Sequence, residues 1–251
     1  MKDFSFQGKV YLGTRKTGGL PGALVDVGDA PTCNLSFNVD VESRKESRTG
    51  QRLESARLQT GKSASISLTL NYFSKENLAL GMYGTVRNVT GSTVSGETFP
   101  TGLAVGDAIA LEHGNVSSVV ITDSAGSAAT LVAGTDYVVD SAANGVIKIL
   151  NLGSYTQPFK AAYTYGDSVD VTMFDADPPQ RYFLLDGINT VTNERVKVRL
   201  YKVQLDPTSE LPLINESFGQ LTLNGAVLYD DEAAEDGDLG PFGKIEMPEA
   251  A

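Results

Sequence analysis

Apolar and polar residues alternate with a period of two along much of the chain, the mark of strands with one buried face. Residues 63–70 put Ala64, Ile66, Leu68 and Leu70 on one side and Ser63, Ser65, Ser67 and Thr69 on the other. Residues 196–205 repeat the pattern, with Val196, Val198, Leu200 and Gln204 separated by Lys197, Arg199 and Lys202. A third run covers 219–228, where Gly225 is expected to mark a bulge or bend. Strands are also expected over 5–12, 33–41 and 182–188. Helical signal is confined to 74–83, where Ser74 suits an N-cap and Leu78, Leu80 and Met82 supply apolar weight.

From about 92 to 170 the texture changes to Gly, Ala, Ser, Val and Thr. Short strands are expected at 117–122, 128–132, 136–139, 145–150 and 159–165, a spacing that reads as a small β-sandwich. Turn residues separate them, and Asn144-Gly145 is a hairpin signal whose turn extends at most over 140–145. Strands before 84 and after 180 share a more charged style, so 92–170 reads as a domain inserted into a body made of 1–91 and 171–251. The expected class is all-β with one short helix. Asp175–Pro179 reads as a stiff connector, because Pro178 biases Asp177 away from helix and two prolines favour extension. The acidic run 230–240 reads as a solvated tail.

Composition narrows the chemistry. A chain of 251 residues, 41% hydrophobic and 20% charged, is long enough for one large β domain or two smaller ones. No apolar run approaches the ~18 residues of a membrane-spanning helix, and the opening Met1–Phe6 has no apolar core, so no secretory leader is expected. Cys33 has no second cysteine to pair with and reads as a small buried residue of a protein made in a reducing cytoplasm. A net charge of −11 argues against tight binding to nucleic acid.

One Cys33 and one His113 cannot build a Cys/His metal site, and His113 reads as an ordinary surface residue. There is no G-x-S-x-G elbow, and Gly18, Gly19 and Gly22 do not make a phosphate loop. Asp170, Asp175 and Asp177 are of the right type for calcium but lack EF-hand spacing, so a solvated linker is the simpler reading. No catalytic residue, metal or cofactor is expected, and the chain does not read as an enzyme.

Residues 42–62 join two alternating strands and concentrate Arg44, Lys45, Arg48, Arg52, Arg57 and Lys62. Read as a loop, this segment is several times longer than a hairpin connection needs. One reading is a solvated flap. The other is a basic arm that docks on an acidic neighbouring copy, where charge complementarity sets register and partner choice.

The stretch from Val39 to Arg52 resembles the long loop of tail tube proteins from long-tailed, non-contractile phages. Val198–Val203, Leu211–Glu216 and Phe218–Gly225 resemble the closing strands of the same family, and the likeness covers about 1–84 and 172–230. The resemblance implies a β-sandwich body with a flanking helix. It implies hexameric rings whose inner strands join into one barrel, stacked into a hollow tube in the virion tail. Six sets of four strands make roughly two dozen, enough for an open channel. An acidic lumen would let DNA pass without sticking, since each lysine or arginine contact to a phosphate adds affinity.

The arm implied to contact the adjacent ring carries Arg44, Lys45, Glu46, Arg48, Gln51, Arg52, Glu54 and Arg57. Implied partners are further copies of the chain, a tape measure protein, tail terminator and distal tail proteins, and DNA in transit, with no membrane. The inserted segment resembles the small immunoglobulin-like domains that decorate phage tails, either for host-surface contact or for stabilisation. Other assignments stay open: a capsid decoration or baseplate protein, or a carbohydrate-binding adhesive module built on 92–170.

Overall fold

The structure, a computed structural model, describes residues 3–16 and 18–248. It is all-β, with two short helices among the described residues. The first strands are β1 (Phe6–Lys16), β2 (Leu20–Asp26), β3 (Thr32–Lys45) and β4 (Glu54–Leu70), followed by α1 (Lys75–Met82). Next come β5 (Val86–Val89), β6 (Ser92–Thr98), β7 (Ala108–Ala110), β8 (Val116–Thr122), β9 (Tyr137–Ser141) and β10 (Val146–Ile149). Then follow β11 (Lys160–Tyr165), β12 (Ser168–Val171), β13 (Gln180–Asn189), β14 (Arg195–Leu205) and β15 (Leu221–Val227). The chain closes with α2 (Asp231–Glu235) and β16 (Gly243–Glu246). It divides into two compact units, one holding the chain up to Val86 and from Val171 onward, the other Arg87–Asp170.

In the first unit eight strands form one antiparallel ladder in the order β2-β1-β13-β14-β15-β4-β3, with β16 added on β14. β14 meets β15 only through Val203–Leu205 and Gly225–Val227. The ladder therefore works as two sheets hinged at that short seam, sharing one core. Val10, Leu12, Phe183 and Leu200 enter it from one side, and Ile66, Leu68, Leu70, Leu221 and Leu223 from the other. Each such buried side chain stabilises by about 1.5–3 kcal/mol relative to exposure.

The alternation at 63–70 is realised as expected, with Ala64, Ile66, Leu68 and Leu70 all buried. In 196–205 it is not. The β13–β14 register passes from Arg181↔Val203 to Phe183↔Leu200, so β14 carries one extra residue opposite Tyr182. This bulge turns Tyr201 onto the outer face, against Tyr182 and Ala233, and returns Val203 and Leu205 to the core. Gln204 consequently lies off the core face, contrary to strict period two. Gly225 marks no bulge, because β15 pairs with β4 without interruption from Leu221↔Leu70 to Val227↔Ala64. Its role is close approach: a Cβ there would lie 2.5 Å from the Gln204 carbonyl oxygen.

α1 begins as expected, Ser74 Oγ accepting the Asn77 N–H at 3.1 Å. α2 was not expected, and it overturns the reading of 230–240 as a solvated tail. Asp230 is fully buried, caps α2 by accepting from Ala233 N, and takes two hydrogen bonds from Arg15 at 2.8 and 3.1 Å. Counting charges in a window cannot reveal that one of them has a partner 215 residues away. β2 also went unforeseen, and Leu211–Glu216 forms no strand. Cys33 is half-buried against the core, and burial pushes its thiol up to about 11.

The second unit pairs two three-stranded sheets, β7-β10-β9 and β6-β11-β8, over one core that includes Ile121, Tyr137, Ile147, Phe159 and Tyr163. The Asn144-Gly145 turn joins β9 to β10, Gly145 taking φ 65°. The strand expected at 128–132 is reduced to a single bridge, Thr122↔Thr130, while β6 and β7 were missed. Two buried carboxylates staple its loops. Asp123 accepts from Ala129 N at 2.6 Å and Thr156 N at 3.2 Å. Asp136 accepts from Val132 N at 2.8 Å and the Tyr155 hydroxyl at 2.9 Å. These donors hold both carboxyls below their usual range.

Candidate functional site: an exposed cationic ribbon and an uncharged sheet face

The segment 42–62 is not a long loop. β3 and β4 run on past the core as a two-stranded ribbon, paired through Val41↔Gln59, Glu42↔Leu58, Ser43↔Arg57, Arg44↔Ala56 and Lys45↔Glu54. The connection proper spans only 46–53. The apolar-polar signal fades there because both faces of the ribbon are in water, so alternation has nothing to report. Every residue of 51–60 is exposed.

The tip is organised by Glu46, which folds back on its own loop. Its carboxylate accepts from Arg48 N at 2.6 Å, Thr49 N at 3.0 Å and the Thr49 hydroxyl, while Glu46 N donates to Leu53 O at 2.7 Å. The Thr49 hydroxyl and then the backbone donors lower the carboxyl's pKa. Glu46, one of the expected contact residues, is thus engaged by its own turn. Gly50 at φ 77° and Arg52 at φ 52° supply the left-handed residues that turn the loop.

The remaining expected contact residues stay presented to solvent. Cross-strand partners share a face, which groups Ser43 with Arg57 and Lys45 with Glu54 on one side, and Arg44 with Ala56 on the other. Arg48, Gln51 and Arg52 sit in the tip. Between 42 and 62 there are six cations and three carboxylates in a chain of net charge −11. Among the described residues, none of these cations has an ion pair. Leu53 and Leu58 are exposed beside them, and Phe37 and Val39 further down β3.

The ladder to which the ribbon belongs ends in two strands paired on one side only, β2 and β3. Its two outer faces differ. Behind β13 and β14 the rows are charged: Lys9, Asp186, Lys197 and Glu246 line up across four strands, and Tyr11, Leu184, Arg199 and Lys244 form the next row. Arg199 and Lys244 reach Glu246 at 2.6 and 2.9 Å. Across β3, β4 and β15 the rows read Thr32–Thr69–Thr222, Asn34–Ser67–Asn224 and Ser36–Ser65–Ala226, extended by Asn38–Ser63. None of these eleven positions is charged, and the nearest charge along β3 is Asp40. Sequence alternation assigned the β4 serines to the outer side but gave no means of joining them to β3 and β15. A third exposed feature is the segment 206–220, where Ile214 and Phe218 are almost wholly in solvent.

His113 is engaged in an aromatic cluster. His113 stacks on Tyr165 with ring centroids 3.7 Å apart, and its Nδ1 lies 3.0 Å from the Tyr163 hydroxyl. Tyr163 donates to Glu97 at 2.5 Å, and burial, then Glu97, raise its pKa. The surface histidine of the sequence reading is thus half-buried in an aromatic cluster. Among the described residues no group of three His, Cys, Asp or Glu side chains is placed to hold a metal, and Asp170, Asp175 and Asp177 form no such group.

The chain belongs to the family described as protein of unknown function UCP028589, whose model matches residues 3–246. No curated protein matches it.

Proposed function

We propose that this protein is a structural subunit of a phage tail tube, a non-enzymatic protein that assembles with copies of itself. The observation that carries the reading is the ribbon. An unpaired, cationic hairpin of ordered secondary structure projects from the edge of an open β-ladder in a strongly acidic protein. Exposed edge strands invite pairing with another chain, and a head-to-tail contact that repeats through a closing rotation generates a ring. In this reading the open edges join neighbours within a ring of six, and the ribbon engages an acidic surface of the adjacent ring.

Stacked rings form a conduit in the virion tail, assembled around a tape measure protein, bounded by terminator and distal tail proteins, and traversed by DNA. The second unit is an immunoglobulin-like accessory domain. The test is assembly. The purified chain is expected to form rings or tubes in negative-stain micrographs. Replacing 44–56 by a two-residue Asn-Gly turn, which closes on the Ser43↔Arg57 pair, is expected to abolish stacking while leaving the thermal melt within a few degrees. A protein that remains monomeric at every concentration sinks the proposal.

A further inference from the structure

We infer that the cleft between α1 and the β1–β2 edge is a docking site for the 206–220 loop of a second copy of this chain. In that contact Arg181 of the cleft pairs with Glu216 of the incoming loop. The inference rests on the reading above that copies assemble, and it names one contact by which they do so.

The cleft holds a cation without a partner. β13 sets Arg181 opposite Thr14 on one side and Val203 on the other. Cross-strand partners share a face and Val203 lies in the core, so Arg181 continues the core-facing row of Phe183. The sandwich is not closed there. Leu12, Val25, Val27, Ala79, Leu80 and Pro179 wall an open cleft of about 410 Å³, and Arg181 lines it. Its side chain is half-buried and, among the described residues, makes no hydrogen bond or ion pair. Glu76 and Asp177 also line the cleft, but Glu76 faces Lys75 at 4.0 Å. Burial lowers the Arg181 pKa, and no neighbouring carboxylate offsets it. An arginine among apolar walls is ordinarily paired, and its planar fork suits a carboxylate. The cleft therefore fits an apolar group that brings a carboxylate with it.

The loop supplies both. Residues 206–220 form no helix or strand and contain Asp206, Glu210 and Glu216 but no lysine or arginine. Leu213, Ile214 and Phe218 stand in solvent, and large apolar groups clustered on a surface mark a contact. Glu216 lies two residues from Ile214 and two from Phe218, and it has no ion pair among the described residues. Gly81 of α1 faces Leu221, Leu223 and Thr208, whereas Ala79 and Leu80 face the cleft, so loop and cleft lie on different sides of the helix. A contact between two different patches is head-to-tail. Each copy then keeps one free loop and one free cleft, and repetition closes a ring or builds a filament.

The test exchanges the charges. Arg181→Glu and Glu216→Arg, made singly in the full chain, each bring like charges together at every contact. Each is expected to cut assembled material, read by pelleting and negative-stain micrographs, by roughly tenfold or more. Mixed in equal amounts, the two variants can alternate around a ring with opposite charges at every contact, so the mixture is expected to regain wild-type assembly. A loop folded onto its own cleft would not be rescued by mixing. If either variant assembles as wild type does, the inference is overturned. It is overturned too if the mixture stays unassembled while both variants keep the wild-type thermal melt. Should Arg181→Glu fail to fold, Glu216→Arg in the exposed loop decides alone: unchanged assembly overturns the inference and its loss upholds it. If wild type itself forms no assemblies, the subunit reading fails and the inference falls with it.

Discussion

The two units solve the same problem differently. In Arg87–Asp170 six short strands form two small sheets that seal one core, and buried Asp123 and Asp136 tie the loops down. Its core cluster draws only on its own residues. The other unit also has a closed core, yet it leaves a 14-residue strand, β3, paired on one side only. It extends a bare ribbon beyond that core and exposes Phe37, Ile214 and Phe218. Both units leave edge strands, but those of the second are three to seven residues long, whereas β3 runs to 14 residues and carries the ribbon, so under the proposed function only the first unit offers a long edge to a second chain.

The largest effect that would break this comparison is excision. Expressed alone, 87–170 is expected to unfold in one cooperative transition, because no residue outside it contributes to its core. The body can be rejoined at the same place, since Thr172 N donates to Thr85 O at 3.1 Å where the chain leaves and re-enters. A body joined through a short Gly link is expected to keep its assembly. An excised unit that is unfolded by circular dichroism would mean that it is not self-sufficient.

Next in size is Asp230→Ala, which strips Arg15 of its buried partner and α2 of its cap. Removing one member of a buried pair costs about 3 kcal/mol or more. Chemical denaturation should register that loss in the body's transition only. Arg15 and, after it, the Ala233 N–H hold the Asp230 carboxyl below its ordinary value against the opposing effect of burial. Its contribution is therefore complete above the unfolded value of about 3.9 and disappears as pH falls through the lower folded value. The wild-type body should lose stability below about pH 4 more steeply than the variant.

A smaller effect is expected from Gly225→Ala, whose methyl meets the Gln204 carbonyl at the seam between β14 and β15. A loss of about 1–3 kcal/mol is expected there, again in the body and not in the second unit. Smallest is Phe218→Ser. The ring is wholly exposed, so stability should change by less than about 0.5 kcal/mol in a denaturant titration. If assembly falls while stability holds, Phe218 belongs to the surface that a second copy completes.

Much of the body was legible because alternation is local. The core face of β4, the existence of strands at β1 and β15 and the Ser74 cap follow from which residues sit two or three positions apart. The ribbon was located by its cations, but its form was hidden. A strand pair with water on both faces has no apolar period to show, so it read as loop. That the N–H groups of its own turn donate to Glu46 became visible only with the conformation of the tip.

By itself, then, the sequence determined that the chain is all-β, where most strands of the body lie, and that its cations gather between 42 and 62. Tertiary structure decided the rest: the bulge that turned Tyr201 outward, the burial of Asp230, and the joining of three separate runs of Ser, Thr and Asn into one neutral face. The physical reason is range. Alternation is written into neighbouring residues, whereas register and partnership depend on strands that meet from distant parts of the chain, and no window along the sequence contains both partners.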